Sequence, residues 1–410
     1  MKDFAKSGWE AAPLGKVAQI RPNKKEAKSV LADSDDVSFV PMDCLKIDQV
    51  ALAEHEARPL GEVYGGYTYF RDGDVLLAKI TPCFENGKLG VANGLKNGIG
   101  FGSSEFFVLR PNDKLLAGYL YHFMNRQRFR DWAKGQMTGA VGHKRVPKEL
   151  IETLEIPLPP LEEQQRIVAV LDEAFEGLAR ARAHAEANLS DAEEIAARSL
   201  DVILEDLGTR NGRITMDGIA AVKGGKRLPK GSKPSSTPTL YPYISVKDLT
   251  EDGTVSTAKL GYISEQVQRS IARYTISCRD VYISIAGTIG KSGIVPDELE
   301  GANLTENAAK LVLKDGWAAE YIYWCTRSAN FAVQTSEQTR VAAQPKLALQ
   351  RLGAITIPKA TEAEQIAVCE KMNALRVTRS ELVEAYNKKL QDLDDLRQSL
   401  LGQAFAGKLT

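Results

Sequence analysis

Histidine and cysteine are scarce in this chain. The four histidines, His55, His122, His143 and His184, form no HxxxH or HExxH pair, which argues against a histidine-built metal site. The five cysteines, Cys44, Cys83, Cys278, Cys325 and Cys369, are odd in number and scattered, with no CxxC spacing. That pattern excludes a zinc ribbon and a disulfide framework, and it fits a reducing cytoplasm. No apolar run approaches the roughly 20 residues of a membrane span. The opening residues, MKDFAKSGWEAAPLGK, lack the apolar stretch of a secretory signal. A cytoplasmic protein with no membrane partner is therefore expected. Net charge is lacking as well: Lys+Arg and Asp+Glu each total 53.

Catalytic signatures are missing too. GTIGKSG (residues 287–293) looks like a phosphate-binding loop, but G-x-x-x-x-G-K-[ST] requires glycine at position 285, which is Ile285. The residues after it read as strand and turn, so a hairpin is expected there. A base methyltransferase would need a glycine-rich cofactor loop after a strand and an Asn/Asp-Pro-Pro-aromatic loop for an extruded base. The one Pro-Pro pair, Pro159-Pro160, is followed by Leu161 at a helix start. No nuclease or helicase constellation stands out. The expectation is a chain with no catalytic residues, no metal site and no cofactor of its own.

What is present is repetition. At 410 residues, with 43% hydrophobic and 26% charged content, the chain exceeds one core and reads as several globular parts. Residues 161–207 have no proline, one glycine (Gly177) and an apolar stripe that includes Ile167, Leu171, Leu178 and Ile195. A second such stretch, about residues 362–405, carries Val368, Met372, Leu382, Leu393, Leu396 and Leu400. Sustained spacings of three and four predict long helices that pair as a coiled coil. IPLPPLEEQ introduces the first helix and IPKATEAEQ the second; Thr361 and Glu364 fit a capping box.

The segments before the helices match in order. DVLLAKITPCFENGKLGVA parallels DVYISIAGTIGKSGIV, and SSEFFVLRPNDKLLAGYLYHFM parallels TENAAKLVLKDGWAAEYIYWCT. The predicted class is α+β: two β-rich globular domains of mixed α/β type, residues 1–155 and 209–355, alternate with helices over 156–208 and 356–410. Repetition on this scale predicts a pseudo-twofold molecule.

Basic and hydroxyl residues gather at loop tips. One loop offers Lys79, Thr81 and Lys88, and its counterpart offers Thr288, Lys291 and Ser292. RFRDWAKGQMTGAVGHKRVPK adds Arg128, Arg130, Lys134, Thr138, Lys144 and Arg145. GGKRLPKGSK adds Lys226, Arg227, Lys230 and Lys233, and Arg340 lies in a later loop. Such groups suit phosphate and groove contacts, so all are candidates for binding DNA.

The helices introduced by PLPPLEEQQRIVAVLD and closed by LRQSLLGQAFAGKL resemble the central and C-terminal regions of type I restriction–modification specificity subunits. The DVLLAKITPCFENGK and DVYISIAGTIGKSGIV segments are similar to their target-recognition domains. IPKATEAEQ departs from the pattern by lacking Pro-Pro-Leu. The resemblance implies that each globular domain reads one half of a bipartite double-stranded DNA target. It implies an antiparallel helix pair that spaces the halves and recruits two methyltransferase subunits and two restriction/translocase subunits. S-adenosylmethionine, ATP and Mg2+ would then belong to those partners. Two other readings stay open: a coiled-coil adaptor that binds no DNA, and a specificity subunit of another multi-subunit restriction system.

Overall fold

The structure, a computed structural model, describes residues 8–140, 142–339 and 346–409. They form two compact units. The first comprises the described residues up to Ala185 and those from Lys388 onward, and the second is Glu186–Asn387. The units therefore cut across the linear segments: each takes one globular stretch and a part of both long helices.

In the first unit the strands are β1 (Glu10–Pro13), β2 (Ala18–Ile20), β3 (Asp36–Val40), β4 (Glu56–Pro59), β5 (Thr68–Arg71), β6 (Val75–Ala78), β7 (Leu89–Val91), β8 (Ile99–Gly102), β9 (Phe106–Pro111) and β10 (Glu155–Leu158). One sheet has the order β2-β9-β6-β7, a second β4-β3-β8-β5, and β1 pairs with β10. Strands β6 and β9 read as nearly unbroken apolar runs because both faces of their sheet are covered. Val75, Leu77, Phe107 and Leu109 point into a core shared with helices, including Tyr119, Phe123 and Ile167. Leu76, Phe106 and Val108, one residue out of phase, point toward Phe70 and Val40 of the other sheet.

The second unit repeats this plan with β11 (Arg213–Thr215), β12 (Ala220–Gly224), β13 (Pro242–Ile244), β14 (Gly261–Tyr262), β15 (Val281–Ser284), β16 (Ser292–Ile294), β17 (Asn303–Leu304), β18 (Ala308–Leu313) and β19 (Thr356–Pro358). Its sheet β12-β18-β15-β16 has the order of β2-β9-β6-β7, and β11 pairs with β19 as β1 does with β10. The parallel pair β3–β8 has its counterpart in β13–β17. GTIGKSG spans the β15–β16 turn, with Gly287 at φ 78° and Gly290 at φ 91°. A hairpin, not a helix, follows from it.

A buried acid holds each main sheet. Asp74 accepts the Arg71 N–H (2.9 Å) and both Nε and Nη2 of Arg110 on β9 (2.7 and 2.8 Å). Asp280 accepts the Ser277 N–H and the Lys310 ammonium, each at 3.0 Å. These aspartates are the Asp of the two Asp-Val motifs that align in the sequence.

The long helices are Leu161–Asn211 and Glu362–Phe405, of 51 and 44 residues. Thr361 and Glu364 form the expected reciprocal cap, Thr361 N to Glu364 Oε2 at 2.9 Å and Glu364 N to Thr361 Oγ1 at 3.3 Å. The same buried glutamine sits in the first turn of both helices. Gln164 accepts the Leu116 N–H (2.9 Å) and donates to the carbonyls of Lys114 (2.9 Å) and Pro159 (3.0 Å). Gln365 accepts the Ala318 N–H (2.8 Å) and donates to Gly316 (2.9 Å) and Ala360 (3.2 Å). Each glutamine clamps its long helix to the loop before an aromatic helix, Ala117–Met124 or Ala319–Thr326. Gln164→Leu strands a backbone donor and acceptors in the interior and should cost about 1–3 kcal/mol per orphaned group. A urea melt with an unchanged midpoint would refute the clamp.

Within each unit the two helices run antiparallel. In the first, Arg182 pairs with Asp394, and the Arg397 guanidinium lies 3.8 Å from the Phe175 ring centroid. In the second, Glu193 pairs with Arg379 at 2.8 Å and Arg210 with Glu364 at 3.3 Å. Of the expected seam, Ile167, Leu171, Val368 and Met372 are buried, and Leu178, Leu393 and Leu400 are half-buried. Three residues are corrected: Ile195 (60% exposed), Leu382 and Leu396 lie outside the seam. The inward row passes through Ala185, Leu189, Ala192 and Ala196 on one helix, and through Val383, Tyr386, Leu390, Leu393, Arg397 and Leu401 on the other. Each corrected residue is one position off that row. Small alanines in this row permit close approach of the helices. Among the described residues no helix is long and apolar enough to cross a membrane.

Candidate nucleic-acid interface

In the first unit, two loops that are distant in sequence are stitched together. Thr138 and Arg145 exchange backbone hydrogen bonds (3.0 and 2.8 Å), forming a small hairpin. That hairpin docks on the loop after β6, through Thr81 N to Lys144 O and Val146 N to Lys79 O, each 2.9 Å. Lys79, Thr81, Thr138, Lys144 and Arg145 are thereby brought together. Glu105 lies beneath them and accepts from Arg145 Nε (2.9 Å) and Nη2 (2.8 Å), while Lys79 Nζ donates to Ser104 O (2.8 Å). The Arg145 hydrogen bond holds the Glu105 carboxyl below the usual carboxylate range. The pair therefore braces the junction at neutral pH and releases it as pH falls through that lowered value.

The second unit builds the same junction from different residues. Leu347 N donates to Ile285 O (2.9 Å), and Lys346 bridges Ala286 in the loop after β15. Asn307 takes the place of Glu105, its carbonyl accepting from Ile285 N (2.8 Å) as that of Glu105 accepts from Lys79 N (2.9 Å). The adjacent Glu306 pairs with Arg227, 2.5 Å away on the segment that follows β12. Burial opposes ionisation of Glu306, and the Arg227 hydrogen bond overcomes it, so the carboxyl stays below its ordinary range.

Several expected contacts are already engaged inside the protein. Lys88 Nζ reaches Met42 O (3.3 Å) and Asp43 (2.9 Å). Lys291, its counterpart, reaches Leu249 O (2.9 Å) and Glu251 (2.8 Å). Both lysines tether a loop of the neighbouring sheet. Thr81 Oγ1 donates to Glu85 (2.9 Å). Two candidates are corrected outright. Ser292 is fully buried, its hydroxyl 2.7 Å from that of Thr326, because it begins strand β16 and faces helix Ala319–Thr326 rather than standing at the loop tip. Arg130 is largely enclosed and braces the turn between helices by donating to Asn125 O (2.7 Å), Asn125 Oδ1 (2.9 Å) and Gln127 Oε1 (2.7 Å).

The candidates that remain open to solvent are Arg128, Lys134, Thr138, Lys144, Lys226, Lys230, Lys233 and Thr288. Arg340 lies outside the described residues. Sequence reasoning missed Glu105, Glu306 and Lys346. The two glutamates stand one place apart in the aligned SSEFF and TENAA segments, so the repeat gives no signal for them, and Lys346 has none beyond its charge.

The fold defines a class first: a duplicated β-rich unit, each copy braced by portions of two long helices. Residues 6–183 match the family described as the type I restriction modification DNA specificity domain. A 162-residue stretch is 41% identical to the type I restriction enzyme EcoEI specificity subunit of Escherichia coli, covering 39% of this chain and 27% of that one. The chain thus aligns with about a quarter of that relative's length. A chain of the type I R-M system, solved for its complex assembly and conformational transition, superimposes with a TM-score of 0.81 at 18% identity, over 98% of both chains. The HsdS subunit from Thermoanaerobacter tengcongensis does so with 0.62 at 17% identity, over 98% of this chain and 97% of that one. The first domain is thus similar in sequence to type I restriction–modification specificity subunits, and the chain shares the fold of these two solved chains along its length.

Proposed function

We propose that this chain is the DNA specificity subunit of a type I restriction–modification complex. Each unit reads one half of a bipartite target in double-stranded DNA, and the long helices set the spacer between the halves. The observation that carries this reading is the stitched loop junction built twice, from Thr138, Lys144 and Arg145 in one unit and Ala286, Lys346 and Leu347 in the other. Equal frames bearing different side chains suit two different half-sites, since base-edge contacts depend on side-chain identity and backbone framing sets their register. Rigid coupling of two weak contacts makes the second binding step intramolecular and raises the combined affinity.

In this reading the chain is non-catalytic and works in the cytoplasm. It recruits two methyltransferase subunits, which bring S-adenosylmethionine, and two restriction/translocase subunits, which bring ATP and Mg2+. The solvent-open cations Lys134, Lys144, Lys226, Lys230 and Lys233 supply phosphate contacts. Partner subunits supply the rest of the neutralisation that a chain with balanced charge lacks. Co-expression with a type I methyltransferase subunit, in a host without DNA methylation, tests the proposal. Mapping modified adenines should yield a split motif with a fixed gap that vanishes when this chain is omitted. A continuous motif, or methylation that persists without the chain, would reject it.

A further inference from the structure

The segment 225–241 of the second unit does not behave as a loose loop. It leaves β12 through Gly225, where a Cβ would stand 2.0 Å from the Thr305 carbonyl oxygen, so only glycine fits. Leu228 packs partly into a small cluster around Tyr243, Ile263 and Ile271, and Tyr241 re-enters that cluster at the far end. Between them Pro234 lies against Gly261, where an added Cβ would come within 2.6 Å. Ser235 and Tyr262 exchange backbone hydrogen bonds, both 2.9 Å. Thr237 N donates to Ser235 Oγ (3.0 Å), Thr239 Oγ1 to Ile263 O (2.8 Å), Tyr241 N to Thr239 Oγ1 (3.1 Å) and Ile263 N to Tyr241 O (3.0 Å). The backbone on either side of residue 240 is therefore pinned to the edge of β14.

Held in that frame, Leu240 is 89% exposed. A flexible loop would let a leucine fold back onto the apolar cluster beside it and recover about 1.5–3 kcal/mol of burial. This backbone prevents the return while admitting Leu228 and Tyr241. The same strap carries Lys230 and Lys233, both exposed. Lys226, at its start, lies 5.6 Å from the Tyr274 ring centroid. A single projecting apolar side chain on a fixed basic strap matches the chemistry of a groove: cations for phosphate, an apolar probe for the face or methyl group of a base.

We propose that Leu240 makes an apolar contact with a base of the half-site read by the second unit, with Lys230 and Lys233 fixing the strap to flanking phosphates. This rests on the specificity-subunit reading and adds to it a residue that determines sequence. Because Leu240 touches little of the protein, Leu240→Ser should melt with the wild type and recover the same amount of partner subunits on co-purification. In the methylation map of the whole complex, the variant should relax the motif at one or two adjacent positions of one half only. Binding to the mapped target should weaken on the order of 10-fold, the scale of losing one base contact, with affinity for unrelated duplex unchanged. Lys230→Ala with Lys233→Ala should weaken target and unrelated duplex alike and flatten the salt dependence. An unchanged motif and affinity in Leu240→Ser overturns the proposal while leaving the specificity reading intact. Loss of partner recovery overturns it too, by making Leu240 a protein contact. A wild-type complex that yields no split motif would instead reject the specificity reading itself.

Discussion

Phe405→Ala should lower the stability of the first unit by about 3–5 kcal/mol, the usual cost of emptying a phenylalanine site in a closed core. Phe405 is the last residue of the second long helix, yet it is fully buried, its ring 5.0 Å from that of Tyr119 and 5.2 Å from that of Phe123. Tyr119 also donates to Pro157 O (3.0 Å), tying the same site to β10. The loss should be local, because the second unit closes its own core with Leu200, Leu204 and Leu207 from the other long helix. Hydrogen exchange would read the difference: protection falls in β6 and β9 and persists in β15 and β18. Unchanged protection in β6 and β9 would show that Phe405 does not complete that core.

Asp74→Ala should be comparably damaging for an electrostatic reason. It removes two hydrogen bonds from the Arg110 guanidinium, whose side chain is only 10% exposed, and leaves Glu26 (2.6 Å) as its remaining carboxylate. Removing one partner of a buried ion pair costs about 3–5 kcal/mol, with the remaining Glu26 contact placing this site at the lower end, whereas replacing both partners together is often nearly neutral. Asp74→Leu with Arg110→Met should accordingly recover most of what Asp74→Ala loses. Chemical denaturation of the three proteins settles the point; equal loss in the single and double variants would mean that packing, not charge, governs the site.

The duplication was legible, because Asp-Val followed by alternating apolar residues occurs twice, and each long helix opens on a proline and a Glu-rich turn. The lysines of the hairpin turns were legible as positions but not as roles. Whether Lys88 and Lys291 face solvent depends on Met42, Asp43, Leu249 and Glu251, residues about 40 positions away in the chain. The seam is legible at Ile167, Leu171, Val368 and Met372, and misplaced at Ile195, Leu382 and Leu396, each one position off the inward row. Leu240 gave no signal at all. An exposed leucine in a Ser/Thr/Pro-rich stretch looks like any loop residue until the hydrogen bonds on both sides are seen.

What the sequence by itself determined is therefore what depends on neighbours along the chain: helix spans, strand alternation, capping at Thr361 and the order of the repeated elements. Their physical causes act over a few residues. Tertiary structure alone decided which cations are tethers and which are open, that Glu105 pairs with Arg145 and Glu306 with Arg227, and that the last residue of the second long helix completes the core of the first unit. Those outcomes follow from long-range packing, where a side chain's partner is chosen by the fold rather than by its place in the sequence.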